Sequence, residues 1–343
     1  MNDRPNARTL TRRTVLRGAA GLAALGLTGR TLAQNGGANR PPPPPGTRLV
    51  LLGTRGGPGV VLERSESASA VVVDGVPYLV DCGYGTMRAL VQSGIGFQPV
   101  GTIFLTHLHD DHTADIAAML AHQWTGSKAT ETNIYGPYGT AQTVEGALLF
   151  SRANVEIRTI DEGRTKPPET LFFGHDVDVG DDPVRVFADE RVVVTAATNT
   201  HYPERAVARM KHRSLGYRFE TSTRSICFSG DTAYSANIVR LARGADVFVC
   251  EVMDHRTYEN NMARAAEAAA AGNEENIFRH VAETHSTPSV VGQMAKEAGV
   301  KTVVLNHQLR GQAAQGFTIS SFIDGVRAVF DGNVIVGEDQ LVI

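Results

Sequence analysis

The sequence contains few cysteines, and they lack the spacing of a disulfide framework or a zinc finger. Three are present among 343 residues, Cys82, Cys227 and Cys250, and none belongs to a Cys-x-x-Cys pair. An odd number cannot all pair within one chain, and each lies in or beside an apolar stretch that is typical of a strand. We therefore expect three buried free thiols.

The chain also lacks an excess of positive charge. Its first 33 residues hold six of its 33 basic side chains and one of its 36 acidic ones, so the remainder carries 27 basic and 35 acidic residues, a net charge of −8. Such a balance repels polyanions at long range. The charge therefore argues against nucleic acid as the natural partner.

No apolar run is long enough for a stable membrane span. The run near the N-terminus extends from residue 19 to about residue 28 and is rich in glycine, whereas a span needs roughly 20 apolar residues. It follows Thr11–Arg17, which resembles the twin-arginine export motif, and precedes small residues at Thr31–Ala33, where cleavage usually occurs. We predict that residues 1–33 are a twin-arginine signal peptide and that the protein is periplasmic or secreted. A disordered basic tail is the alternative.

Residues 34–47 have the composition of a linker. They include several glycines and the five prolines Pro41–Pro45, a stiff stretch with no core to join. The chain as a whole is 42% hydrophobic and 20% charged, which is ordinary for a globular protein. We therefore predict one folded domain over residues 48–343.

Within this domain, short apolar runs bounded by Gly, Asp or Asn predict buried strands. The runs are Leu49–Leu52, Ser69–Val73, Tyr78–Val80, Thr102–Thr106, Val192–Ala196, Leu215–Glu220, Ser225–Ser229, Val247–Glu251 and Thr302–Asn306. Helix-like segments occur at Thr113–Trp124 and at Ser289–Glu297, the latter opened by a Thr-Pro pair and closed by Gly299. This mixture predicts packed sheets with helices outside. The alanine-rich residues 254–282 are a candidate lid, with an ordinary surface helix as the alternative.

The most informative segment is Thr106–His112. It contains His107, His109, Asp111 and His112, and it follows an apolar run and precedes a helix-like segment. It therefore lies on a strand-to-helix loop, where functional groups are common. Imidazole nitrogens and carboxylate oxygens are the ligands that zinc accepts. In an extended turn His107 and His109 would face one ion, and Asp111 and His112 a second.

The pattern His-x-His-x-Asp-His resembles the core motif of the metallo-β-lactamase superfamily. Three further matches follow in the family's order, each after or at the end of an apolar run: His201, Asp231 and His307. The resemblance implies that His201 completes the first metal site, that Asp231 bridges the two metals, and that His307 completes the second site. Taken alone, His201 is as well explained by a structural role as by metal binding. The alternative for Asp231 is a cap on the next segment, and the alternative for His307 is a core histidine.

The resemblance covers nearly all of residues 48–343 and implies an α/β fold, namely a four-layer αββα sandwich of two mixed sheets flanked by helices. It also implies a catalytic domain with two Zn²⁺ ions, although the ligand types suit Mn²⁺ or Fe²⁺ as well. The remaining histidines lack such context, and we interpret them as structural or surface residues. They are His122, His175, His212, His255 and His280.

A His-Ser-Thr element at His285–Thr287 lies just before the second predicted helix. It resembles an element of the branch that contains tRNA 3′-processing endonucleases and arylsulfatase-like phosphodiesterases. That resemblance implies that His285 contacts the charged group of the substrate and assists the leaving group, with Glu251 as its acidic partner. The alternative for His285 is a helix-entry residue that hydrogen-bonds the backbone, and a structural role for Glu251 is equally open.

Two metal ions a few ångströms apart would share one hydroxide, oriented by Asp111, that attacks an ester bond at neutral pH. Our first hypothesis is therefore a hydrolase of a small phosphodiester or sulfate ester. The alternatives are lactone or carboxylic ester hydrolysis, for which the family's tyrosine has no evident counterpart, and β-lactam hydrolysis, against which Asp231 counts. A non-catalytic metal-binding protein on the same fold is the alternative of another class. Because members of the superfamily often dimerise, the resemblance also leads us to expect a homodimer.

Overall fold

The structure, a computed structural model, describes residues 45–274, 276–311 and 316–343. The predicted signal peptide and most of the predicted linker lie outside the described residues. Among the described helices, none is long and apolar enough to cross a membrane. All three cysteines are buried free thiols, as predicted.

The first sheet forms from the apolar runs of the N-terminal half. Its six strands are β1 (Thr47–Gly53), β2 (Ala68–Val73), β3 (Val76–Val80), β4 (Thr102–Phe104), β5 (Thr132–Gly136) and β6 (Phe172–Asp176). They lie side by side in sequence order. The pairs β1–β2 and β2–β3 are antiparallel, and the pairs from β3 to β6 are parallel. The sheet is therefore mixed.

The second sheet has seven strands. They are β7 (Val184–Ala188), β8 (Val192–Thr198), β9 (Leu215–Thr221), β10 (Ser225–Phe228), β11 (Val247–Met253), β12 (Thr302–Leu309) and β13 (Asn333–Val336). These strands also follow sequence order. Pairing is antiparallel from β7 to β10 and parallel from β10 to β13. The parallel part brings the carboxyl ends of β10, β11 and β12 to one edge.

The described residues also form α-helices, six of which pack on the outer faces of the sheets. The helices are α1 (Thr86–Gln92), α2 (Asp110–Thr113), α3 (Ile116–Thr125), α4 (Thr140–Asp161), α5 (Glu204–Val207), α6 (Ala236–Ala242), α7 (His255–Ala270), α8 (Ile277–Thr284), α9 (Pro288–Ala298) and α10 (Ile319–Arg327). One apolar cluster joins the first sheet to α1, α3 and α4, and another joins the second sheet to α6, α9 and α10. A third cluster lies between the two sheets. The layers are therefore αββα.

Phe104 lies at the centre of the cluster between the sheets. Its side chain is fully buried, and its ring lies 5.4 Å from that of Tyr217 and 5.2 Å from that of Phe219, both on the opposite sheet. Aromatic pairs at this spacing add to the free energy gained by burying their surface. Phe104 is the last residue of β4 and lies just before the histidine-rich loop. Its contacts therefore pack that end of β4 against the second sheet.

We expect Phe104→Ala to lower the free energy of unfolding of the metal-free protein by about 3–5 kcal/mol, because it leaves a cavity between the sheets. Urea denaturation followed by circular dichroism measures this. Phe150→Ala on α4 is the matched control, since that ring is 76% exposed and its loss should change stability by less than about 0.5 kcal/mol. Equal effects of the two substitutions would contradict this account of the core.

The predicted strands all appear, with small shifts at their ends. The helix predicted at Thr113–Trp124 is divided, because α2 is a separate turn that ends at Thr113 and α3 begins at Ile116. The second predicted helix is α9, with Pro288 in its first turn and Gly299 at φ 64° as its C-cap. Residues 254–282 contain α7, which is largely exposed, and most of α8.

Candidate metal centre

Three histidines converge beyond the ends of β4 and β8. His107 and His109 lie on the extended loop between β4 and α2, and His201 follows β8. The Nδ1 atom of His109 lies 3.1 Å from Nε2 of His107 and 3.2 Å from Nε2 of His201. One ring nitrogen from each histidine lies within 4.8 Å of the other two. The three side chains therefore point at a common position.

A second group contains two histidines and two aspartates, all buried: Asp111, His112, Asp231 and His307. His307 Nε2 lies 3.2 Å from Asp111 Oδ2 and 3.1 Å from Asp231 Oδ2. His112 Nε2 lies 3.4 Å from Asp231 Oδ1. Asp231 Oδ2 is also 3.9 Å from Nε2 of His107 in the first group. Asp231 is thus the carboxylate between the two groups.

His307 does not end its strand, which corrects the expectation from the sequence. It lies inside β12, where the pairing with β11 passes from Asn306 to Gln308 and leaves His307 as the extra residue of a bulge. Its φ is 38°, a conformation that is rare for a side-chain-bearing residue. Bulges change the direction of side chains near functional sites. The residue in this bulge, His307, is a member of the second group. Gly56 packs against it, because a Cβ there would lie 2.7 Å from His307 Nδ1.

Burial sets the protonation of the first group. It lowers the pKa of His107 and of His201 well below the ordinary value, and neighbouring imidazoles lower both further. Burial also lowers the pKa of His109. Neutral imidazole is the form that binds a metal. The three side chains are therefore held in the form of ligands.

The second group concentrates negative charge. Burial raises the pKa of Asp231, but His307 and His112 outweigh burial and hold the pKa well below its usual value. Burial lowers the pKa of His112, yet the carboxylates of Asp231 and Asp81 raise it overall. Ionised carboxylates in a buried position favour a cation among them. The field of this group therefore suits a positive ion.

The donor atoms themselves test whether a metal fits. Among the described residues, three buried atoms of the second group have no hydrogen-bond partner: His112 Nε2, Asp231 Oδ1 and His307 Nδ1. Leaving such an atom unsatisfied costs about 1–3 kcal/mol. The first two face each other at 3.4 Å, and both are atom types that coordinate zinc. The residues present fit a divalent cation in each group.

Asp81 orients a histidine of this site, and the sequence interpretation did not include it. Its Oδ2 accepts a hydrogen bond from Nδ1 of His112 at 2.8 Å, and its Oδ1 accepts from the backbone N–H of Thr106 at 2.8 Å. A carboxylate on the far nitrogen of a ligand histidine fixes its tautomer and orientation. The signal in the sequence is an aspartate directly after the buried strand β3.

His285 and Glu251 form a buried pair. The Nδ1 atom of His285 lies 2.8 Å from Oε2 of Glu251, which is on β11. Burial lowers the pKa of His285, but the carboxylate of Glu251 outweighs burial and raises the pKa to about 9. The backbone N–H of Thr232, next to Asp231, donates to Glu251. The pair therefore lies against the second group, with a protonated imidazole.

His280 also faces the site, although the sequence interpretation treats it as structural or superficial. It lies on α8, and its ring centroid is 5.0 Å from that of His201 and 5.8 Å from that of His109. Of the other histidines in that set, His175 hydrogen-bonds Asn133 and His255 pairs with Glu259 on an exposed face, whereas His212 lines a cavity together with His109 and His280. The signal in the sequence for His280 is its position about one helical turn before the His-Ser-Thr element.

Comparisons with known proteins identify the family of the chain. The profile of the beta-lactamase superfamily domain matches residues 77–308. Ribonuclease Z from Mycobacterium sp. strain KMS is 30% identical over 264 residues, which are 76% of this chain and 84% of that relative. The chain therefore belongs to the metallo-β-lactamase superfamily, a fold that typically holds divalent metal ions such as zinc, and the prediction of a hydrolase is confirmed.

Solved structures agree on the fold. The metallo-β-lactamase fold protein YhfI from Bacillus subtilis superposes with a TM-score of 0.60 at 17% identity, over 87% of this chain and 98% of that one. The short form of human tRNase Z gives 0.58 at 23% identity, over 86% and 98%. These likenesses confirm the predicted four-layer αββα sandwich.

Proposed function

We propose that this chain is a two-zinc hydrolase that cleaves a phosphodiester, or a sulfate ester, of a small molecule. The observation that carries the proposal is the buried pair of His285 and Glu251, 2.8 Å apart, beside two groups of potential metal ligands that share Asp231. We also propose, from the motif at Thr11–Arg17, that the protein is exported.

His107, His109 and His201 would hold the first ion, and Asp111, His112 and His307 the second, with Asp231 between them. When bound, such ions polarise the scissile ester and lower the pKa of water to about 7. The side chains of the protein supply the ligand atoms and hold them in position. The imidazoles of the first group are already in the neutral, metal-binding form, and the carboxylates of Asp111 and Asp231 are ionised. Asp81 fixes the orientation of His112, which would release a proton on binding an ion.

His285 would act as the proton donor to the leaving group. Its Nδ1 is engaged by Glu251, so its Nε2 carries the proton available to a substrate. A pKa near 9 keeps that imidazolium populated at neutral pH, and an imidazolium also attracts the charge of a phosphodiester or sulfate ester. Glu251 is therefore a positioning residue, and His285 the group that contacts the substrate.

Two features favour a small substrate over RNA, although the relative named ribonuclease Z favours a phosphodiester as the bond. The strands β9 and β10, which precede Asp231, are joined by a tight turn in which the N–H of Thr221 donates to the carbonyl of Arg224. The connection between these two strands therefore contains no inserted basic arm. The net charge of −8 after residue 33 also opposes a polyanion.

Asp81→Asn should weaken zinc binding by about 10- to 100-fold, because an amide holds the tautomer and basicity of His112 less well than a carboxylate does. Competition with a chromogenic chelator measures the affinity. Asp74→Asn is the matched control, since Asp74 is also an aspartate with positive φ, at 48° against 61° for Asp81, but lies in the turn between β2 and β3. Equal affinities of the two variants would show that Asp81 does not tune the site.

The proposed function is tested by comparing turnover of bis(p-nitrophenyl) phosphate, p-nitrophenyl sulfate and p-nitrophenyl acetate by the zinc-loaded protein. We expect the phosphodiester, the sulfate ester or both to be cleaved faster than the acetate relative to their uncatalysed rates. Turnover of the acetate alone would contradict the proposal. Turnover of none would favour a non-catalytic metal-binding protein on the same fold.

A carboxylic ester or lactone is the second candidate, and Tyr202 is the observation that favours it. Its ring centroid lies 5.1 Å from that of His201 and 5.6 Å from that of His109. Burial, with the nearby Asp231, raises its pKa above the ordinary value, so it remains a neutral phenol that can donate a hydrogen bond to a carbonyl oxygen. Selective turnover of the acetate, lost in Tyr202→Phe, would move the assignment to this class.

A further inference from the structure

A cavity opens beside the first histidine group, and its walls differ in character from the metal-binding side chains. It has a volume of about 420 Å³, and its lining includes Leu108, Tyr202, Pro203, Ala206, Met210 and His280. His109 lines it as well, so the cavity is continuous with the group formed by His107, His109 and His201. Pockets that bind small ligands have volumes of roughly 300–1,000 Å³.

The segment after His201 builds one wall of this cavity. The short helix α5 begins after Pro203, and the chain continues through Met210 before it enters β9. Helix α8 supplies the facing wall with His280. Arg205 on α5 lies 2.8 Å from Glu283 on α8, an ion pair that links the two walls and balances the charge of Arg205 at the rim.

The chemistry of the lining selects an apolar group. Aliphatic and aromatic carbon atoms from Leu108, Tyr202 and Met210 dominate the surface. Helix α8 contributes one histidine, His280, whose ring lies edge-on to those of His201 and His109. The charged residue of the lining, Arg205, is paired with Glu283, and the apolar part of the wall gains free energy when it buries hydrocarbon.

We propose that this cavity binds a compact apolar substituent, of the size of an aromatic ring, on the ester that the metal centre cleaves. This inference rests on the proposed function, since the ester group must lie at the histidine groups for its substituent to enter the cavity. It narrows the substrate class from small esters in general to esters that carry an aryl or similarly bulky apolar group.

The test measures binding of two phosphonates to the zinc-loaded full-length chain by isothermal titration calorimetry. Phenylphosphonate and methylphosphonate present the same anionic head to the metal centre and differ in the apolar group. Burial of a ring of this size stabilises a complex enough to give a preference of about tenfold or more for phenylphosphonate. We expect Met210→Asp to remove that preference, because it puts a charge in the wall of the cavity.

Two further variants make the result decisive. Ala206→Trp fills the cavity with a large side chain instead of placing a charge in its wall. It should also remove the preference for phenylphosphonate, so a folding defect of one variant does not decide the outcome. Met262→Asp is the matched control, since Met262 is 43% exposed on α7 and does not line the cavity, and it should keep the preference.

The outcomes separate this inference from the proposed function. Equal binding of both phosphonates by the unmodified protein would overturn the apolar site and leave the metal-dependent hydrolase intact. A preference that persists in both Met210→Asp and Ala206→Trp would overturn it as well. Binding of neither phosphonate would overturn the anion-binding metal centre, and the apolar site with it.

Discussion

Asp231→Ala is expected to lower zinc content from two ions per chain to one or fewer and to reduce kcat/KM by on the order of a thousandfold or more. Asp231 is 2% exposed and its carboxylate lies within 4 Å of nitrogen atoms from His107, His112 and His307. Its removal takes a negative charge from both groups at once. Mass spectrometry of the metal content and steady-state kinetics on a chromogenic phosphodiester measure the two effects.

Asp246→Ala is the control for this prediction. Asp246 is also an aspartate whose pKa is lowered by its partner, Lys301, at 2.6 Å, but it lies immediately before β11 and belongs to neither group of potential metal ligands. Zinc content and activity should be retained in this variant. If Asp231→Ala likewise leaves both unchanged, the assignment of Asp231 as the shared carboxylate is wrong.

His285→Ala is expected to lower kcat by about 10²–10⁴ for an ester with a poor leaving group, such as phenolate, with unchanged zinc content. The reason is that the imidazolium held by Glu251 supplies the proton that such a leaving group needs. An ester of p-nitrophenol should lose far less, since that leaving group departs without protonation. The prediction is therefore tested by comparing the loss of kcat for the phenol ester with the loss of kcat for the p-nitrophenol ester.

A matched histidine variant controls for this second prediction. His255→Ala removes an exposed imidazole that pairs with Glu259 at 3.3 Å on α7, and it should leave both rates unchanged. Glu251→Gln should lower kcat in the same leaving-group-dependent way as His285→Ala, because Glu251 keeps His285 protonated. An equal loss for both leaving groups, or a loss of zinc, would assign His285 to the metal centre rather than to proton transfer.

Short-range patterns allow the fold and the first half of the site to be predicted. The segment Thr106–His112 contains four potential ligands in seven residues and directly follows a buried strand, so it predicts a metal-binding loop without any long-range information. Many of the strands are likewise predictable, because segments such as β2 and β11 are buried at every position and apolar except for Ser69 and Glu251. The strands β5, β6, β7 and β13 are not among the predicted ones. The caps of α9 identify its ends equally well.

The remaining features depend on tertiary structure. Helix α4 has no clear apolar face, since Phe150 and Ile157 are exposed, so its periodicity does not separate it from a loop. The bulge at His307 arises from the register between β11 and β12, which no local pattern encodes. His280 and Asp81 acquire their roles only because α8 and the end of β3 are packed against the histidine groups.

The most direct test of the central claim is a zinc titration of the metal-free protein, followed by turnover of bis(p-nitrophenyl) phosphate at each addition. Because the two groups share Asp231, we predict that activity rises with added zinc and levels off at two ions per chain. A plateau at one ion, or no turnover at any zinc concentration, would contradict the assignment of a two-metal phosphodiester hydrolase.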